Sequence, residues 1–164
     1  VSVEEIERVS HHQVEISKQD LTVEAVLIRA VALSAGRVVA TSAAIKSAKD
    51  CTYKEIDRVR ACLDLLTNQY YEVYATKSIK LEQAIEAGLP YRIDFKGDTS
   101  PGTRGRFGTY RRDYGGRLVD IGKHLGLGNS RNPERCFRLH FHFDQHEGRI
   151  VIHHAGKHLP TGQE

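Results

Sequence analysis

The chain contains no methionine and no tryptophan, and its 164 residues include only three cysteines and four prolines. Cys51, Cys62 and Cys136 are odd in number and widely separated. That spacing excludes a closed disulfide framework and a zinc knuckle, and it points to a reducing, cytoplasmic setting. No apolar run reaches the ~20 residues that span a bilayer, so no membrane partner is expected. The N-terminus lacks the basic-then-apolar order of a signal peptide. The missing methionine fits a domain taken from a longer protein, whose remainder would then be a partner, or a chain whose initiator was removed. Internal repeats and low-complexity segments are also missing. With 40% hydrophobic and 27% charged residues, the composition is that of a globular chain able to build one core.

The net charge of +3 is unevenly distributed. Residues 1–103 carry 13 Lys/Arg against 15 Asp/Glu, whereas residues 104–164 carry 11 against 6 and seven of the nine histidines. A basic C-terminal part joined to a near-neutral N-terminal part favours an anionic partner at the C-terminal part.

Periodicity divides the chain near residue 88. Ser2 and Glu5 form a capping box for a short helix through Val9. Thr22 is placed to cap a long helix running to about Lys49, with Val23, Val26, Leu27, Ala30 and Val31 at helical spacing. The Ala- and Gly-rich second half of that helix leaves room for a second helix to approach. Thr52 and Glu55 suggest another capping box, opening a helix that runs through Val59, Leu63, Leu66 and Tyr70 to Ala87, with a break near Thr76. Gly88 and Pro90 end it. These stretches, 22–49 and 53–87, are also candidates for a homodimer contact. After Pro90 the period becomes two: Tyr91, Ile93 and Phe95 alternate with polar residues. Short strands are expected at 107–112 and 117–121 around an Asp113–Gly116 turn. GKHLGLGNSRNPER reads as a long loop with one helical turn. The fold class is therefore α+β: a helical region, 1–88, packed on a basic antiparallel sheet of four or five strands, 89–164, as one compact domain.

The run FRLHFHFDQHEGRIVIHHAGKHL, residues 137–159, holds six of the nine histidines. Phe137, Leu139, Phe141 and Phe143 share one face, while Arg138, His140, His142 and Asp144 share the other. A turn at 145–148 would pair Phe143 with Ile150 and Phe141 with Ile152, and would set His140 opposite His153 on the solvent side. Two chemistries fit three converging imidazoles. His140, His142 and His153 could hold zinc or another divalent metal as the cofactor of a metal-dependent enzyme. Without a cofactor, Arg138, His140, His153 and Lys157, with His142 and His158 beside them, could bind phosphate and transfer protons. A plain polar sheet face is the third reading.

A second cluster is TRGRFGTYRRDYGGR. Arg104, Arg106, Arg111, Arg112 and Arg117 are interleaved with Phe107, Tyr110 and Tyr114. Guanidinium forks grip phosphate and aromatic faces stack on unpaired bases, so these arginines with Tyr110 are the candidate nucleic-acid contacts, RNA in particular. GLGNSR is not a P-loop, since it lacks the Gly-Lys-Ser/Thr ending.

Helices followed by a small basic sheet and the closing hairpin CFRLHFHFDQHEGRIVIHHAGKHL make residues 82–159 resemble the RelE/ParE toxin superfamily. The resemblance implies a ribonuclease using Arg, Lys, His or Tyr, with Arg112, Arg138, His153 and Lys157 as its candidates, or a gyrase-binding module. The chain departs from that pattern in a long inserted loop and a larger helical half. The functional expectation is a nucleic-acid-binding domain of a larger bacterial protein, with a toxin-like module that processes or cleaves RNA as its expected activity. The alternatives are the metal enzyme and a non-catalytic interaction or dimerisation module.

Overall fold

The computed structural model describes residues 22–97 and 110–160. The expected helix at 2–9, together with Arg104, Arg106 and Phe107, lies outside the described residues.

Thr22 caps the first described helix, α1 (Val23–Leu33), through its Oγ1, which accepts the Ala25 N–H at 3.1 Å. The continuous helix expected to Lys49 does not form. Buried Ser34 turns its hydroxyl onto the chain, donating to the Val31 carbonyl at 2.8 Å and accepting the Val38 N–H at 3.2 Å. Ala35 and Gly36 then take φ of 55° and 80°, which reverses the chain. Glycine is the natural residue at such a reversal and a poor one inside a helix. The β-branched pair that follows enters a short strand, β1 (Val38–Ala40). Thr41 caps α2 (Ser42–Lys49) by accepting the Ala44 N–H at 3.1 Å. The close approach expected of the small residues is made to a strand: the Ser47 hydroxyl accepts the Ala155 N–H at 2.9 Å. Ala44 and Ala48 are buried in this chain's own core.

Helix α3 (Ile56–Leu65) starts without the expected box, because Glu55 is its N-cap and makes no side-chain cap bond. The Glu55 carboxylate instead accepts bonds from the Tyr53 hydroxyl and Arg58. The helix then widens into π-helical turns at Leu66–Tyr70 and Glu72–Thr76. It ends at Lys77, whose φ is 56°, close to the expected break. Helix α4 (Leu81–Gly88) and a 3-10 turn (Leu89–Tyr91) are the last described helices of this half. The strand expected from Tyr91 is shorter, because Tyr91 closes that turn and Arg92 takes φ of 55°, so extended pairing begins only at Asp94.

The remaining strands are β2 (Asp94–Lys96), β3 (Arg111–Tyr114), β4 (Arg117–Asp120), β5 (His124–Leu127), β6 (Phe137–Asp144) and β7 (Arg149–Gly156). The fold is α+β, with a five-stranded sheet in the order β1-β7-β6-β5-β2 and a separate β3-β4 hairpin. The sheet is mixed rather than purely antiparallel, since β1 runs parallel to β7 and comes from the helical half. Strand β5 lies within the stretch read as loop. Its glycines and short length hide the period-two signal, and only the 3-10 turn at Pro133–Arg135 matches the expected helical turn.

One sheet face carries Phe137, Leu139, Phe141, Leu125, Leu127, Ile150 and Ile152, all fully buried against Leu27, Val59, Leu63, Leu66 and Tyr70 of the helices. Burying each such side chain contributes about 1.5–3 kcal/mol. The β6–β7 register follows expectation at Phe143↔Ile150 and Phe141↔Ile152. The other face, expected to be solvated, is instead roofed by the β3-β4 hairpin, whose Tyr114 lies on His142 and His153 and bonds Arg149, with Tyr110 just before it on His140. There Tyr110, Ile121 and Leu159 make a second small core, with Val119 packed against it.

Candidate functional site

A β-bulge organises the face beneath the hairpin. His140 pairs with His154, not with His153, and Phe141 pairs with Ile152, so His153 is the extra residue of β7. Such an insertion breaks strict alternation. Two consecutive histidines thereby both meet histidines of β6. His140, His153 and His154 are 1%, 2% and 7% exposed, so the expected solvent-side patch is an interior one.

The imidazoles form two groups. In the first, the His124 and His140 rings stack at 4.4 Å, and His154 meets His140 edge-on at 5.7 Å. Backbone carbonyls fix all three. His124 Nδ1 donates to Gly122 at 2.7 Å, His140 Nδ1 to Ile121 at 2.7 Å, and His154 Nε2 to Lys157 at 2.6 Å. A carbonyl oxygen only accepts, so these nitrogens carry the protons. Burial holds His124 and His154 down to about 4, against an opposing contribution from those hydrogen bonds. Burial, and then the neighbouring His124, push His140 well below its ordinary value. This group is a neutral polar layer inside the protein.

The second group is the pair His142–His153. His142 Nδ1 and His153 Nε2 are 2.8 Å apart and share one hydrogen bond, which leaves His142 Nε2 as the other nitrogen of a half-buried residue. Tyr114 lies edge-on to both rings, at 5.1 and 5.9 Å, and its hydroxyl accepts a bond from Arg149 at 3.1 Å. Burial, then His142 and Arg112, bring His153 to about 4. Burial also lowers His142, with Asp144 opposing it and Arg117 and Lys123 reinforcing it. The pair is thus neutral at physiological pH, with Arg112, Arg117 and Lys123 near enough to disfavour its protonation and Arg149 one step away on the Tyr114 hydroxyl.

The metal geometry expected of His140, His142 and His153 is not formed. His140 belongs to the other group, and among the described residues no three His, Cys, Asp or Glu side chains are placed to hold one ion.

The other expected site residues are scattered. Arg138 spends one guanidinium nitrogen on the carbonyls of Leu127, Gly128 and Phe137, at 3.3, 2.9 and 3.0 Å. Lys157 is exposed, beyond the end of β7. Arg111 and Arg117 are exposed on the hairpin and Arg112 is half-buried. Tyr110 is only 2% exposed, and its ring lies 5.7 Å from His140 rather than open to a base. Tyr114, His124 and His154 were not among the candidates. The His153-His154 doublet in an alternating strand was the one available signal of a bulge. Comparison with protein-family models, curated proteins and solved structures returns no match for this chain.

Proposed function

We propose that this protein binds single-stranded RNA across the β3-β4 hairpin and cleaves it with the His142–His153 pair. The hydrogen-bonded pair in its basic surroundings carries this reading. A neutral imidazole with a lowered pKa, fixed by a second imidazole, is a general base ready at neutral pH. Arg112, Arg117, Lys123 and Arg149 supply the positive charge that a phosphodiester requires as charge builds in the transition state. His142 Nε2 takes the proton of a ribose 2′-hydroxyl, and the charge is shared with His153 through Nδ1. The 2′-oxygen attacks phosphorus as the P–O5′ bond breaks, and the leaving oxygen takes a proton from water. The products are a 2′,3′-cyclic phosphate and a 5′-hydroxyl, and the imidazolium returns its proton to solvent. His153 keeps its expected role here, and His142 takes the place of the interior His140. The toxin-like ribonuclease implied by the RelE/ParE resemblance belongs to the same proposal.

The test is binding and cleavage of a labelled single-stranded RNA. Arg112→Ala with Arg117→Ala is expected to weaken binding and to reduce the salt slope by about 1.4, at ~0.7 per lost phosphate contact. His142→Ala is expected to leave binding within a few-fold and to reduce cleavage by about 100-fold or more. Cleavage is expected to fall in acid as the pair protonates, while binding strengthens because imidazolium attracts phosphate. Absence of binding at low salt would remove the proposal, and cleavage unchanged in His142→Ala would remove its catalytic half.

A further inference from the structure

His142 and Phe143 are consecutive on β6 and so point to opposite sides of it. On the Phe143 side an open groove of ≈ 490 Å³ lies between the π-helical stretch and the β6–β7 turn. Small-molecule sites run about 300–1,000 Å³, so the groove is of nucleotide size. Tyr71, Tyr74 and Phe143 wall it, with Thr76, Lys77 and Gln145 also among its lining residues, none of which is a carboxylate. The three rings are half-buried rather than enclosed. Tyr74 and Phe143 lie with planes within 22° and centroids 6.1 Å apart. Two cations already sit against tyrosine faces: Lys123 Nζ is 4.9 Å from the Tyr74 centroid and Arg37 Cζ is 5.7 Å from that of Tyr71.

The backbone beneath the tyrosines is unusual as well. They lie where the helix widens to π geometry, which costs regular hydrogen bonding and recurs at functional sites. Lys77 closes that segment in the left-handed region and is itself one of the groove's lining residues. Lys123 joins this side of β6 to the other. Its carbonyl accepts the Phe141 N–H at 3.1 Å, and its ammonium lies over Tyr74.

We propose that the groove is a stacking subsite for one unpaired nucleobase of the bound RNA, whose phosphates pass Lys77 and Lys123 toward the His142–His153 pair. The inference rests on the RNA reading above and deepens it. Every base has a π-face, so tyrosine stacking holds a strand without reading its sequence. The entering base takes the place of the Lys123 ammonium over Tyr74 or of the Arg37 guanidinium over Tyr71, and the released cations with Lys77 complement the flanking phosphates. A duplex keeps its bases in its own stack and would not enter.

The test compares a short single-stranded oligouridylate with an abasic oligomer carrying the same phosphates. Tyr71→Leu and Tyr74→Leu are each expected to weaken oligouridylate binding about tenfold and to leave the abasic oligomer unchanged, while Tyr74→Phe retains binding. Equal binding of oligouridylate by wild type and both leucine variants overturns the subsite. If Arg112→Ala with Arg117→Ala still weakens both oligomers, the backbone reading survives that result. Binding of neither oligomer by wild type overturns both. Should a leucine variant unfold by circular dichroism, NMR of the wild type decides. Upfield shifts of the Tyr71 and Tyr74 ring protons with oligouridylate, absent with the abasic oligomer, support stacking, and their absence with both refutes it.

Discussion

Arg138 shows how a residue's chemistry depends on what it touches. On composition alone it is a phosphate-binding arginine on a basic strand. In the fold it ties down the carbonyls of Leu127, Gly128 and Phe137, where β5 leaves the sheet. Gly128 sits there at φ +75°, and a Cβ would overlap the Arg135 carbonyl oxygen, so that bend is tightly specified. Hydrogen bonds to a charged group contribute about 1.5–3 kcal/mol, and Arg138→Ala is expected to lower stability to urea by that amount. RNA affinity per folded molecule should change far less than in the Arg112/Arg117 double variant. An Arg138→Ala protein as stable as wild type yet unable to bind would return Arg138 to the interface.

Among the elements, the α1-to-β1 reversal decides the most. Had the helix continued to Lys49, no strand would lie beside β7 and the sheet would lose an edge. A single buried hydroxyl organises the switch, serving both the last turn of α1 and the start of β1. Ser34→Ala leaves the buried Val38 N–H without that partner, while the Val31 carbonyl keeps the Ser34 backbone N–H, and the loss costs about 1–3 kcal/mol. The expected result is a lower thermal midpoint, with amide exchange quickened first at Val38–Ala40. Unaltered exchange there would show that the β1–β7 ladder holds the strand unaided.

For the whole molecule, the interior histidines make stability depend on pH. His124, His153 and His154 titrate near 4 in the fold, and His140 is lowered in the same direction, against an ordinary value of 6.5. The unfolded chain therefore takes up protons that the folded chain refuses. Their contribution is fully present above 6.5 and is lost as pH falls from 6.5 toward 4. Each histidine titrating only in the unfolded state removes about 1.4 kcal/mol per pH unit across that window. Urea unfolding is expected to show a clearly lower midpoint at pH 5 than at pH 7, and His140→Phe, which removes one such group, a shallower fall. A midpoint independent of pH across that range would mean that these rings are hydrated. A polyanion over the hairpin favours the protonated forms and opposes this loss, so RNA should stabilise the fold more in mild acid than at neutral pH.

Much of this was legible in the residues themselves. The Thr22 cap, the existence of a hairpin near the expected Asp113–Gly116 turn (though β3 runs on through Tyr114), and the pairing of Phe141 and Phe143 with Ile152 and Ile150 follow from local periodicity, because burying one face of a strand or helix fixes its neighbours. The α+β class follows from the change of period after Pro90. The burial of the histidines was not legible, because alternation tells only that two faces differ, and the β3-β4 roof that covers the polar one comes from a distant segment. Nor were the bulge that separates His140 from the His142–His153 pair, the strand hidden in HLGL, and the parallel placement of β1. Each is settled by long-range pairing and packing, which override weak local preference wherever small residues and glycine leave the backbone undecided.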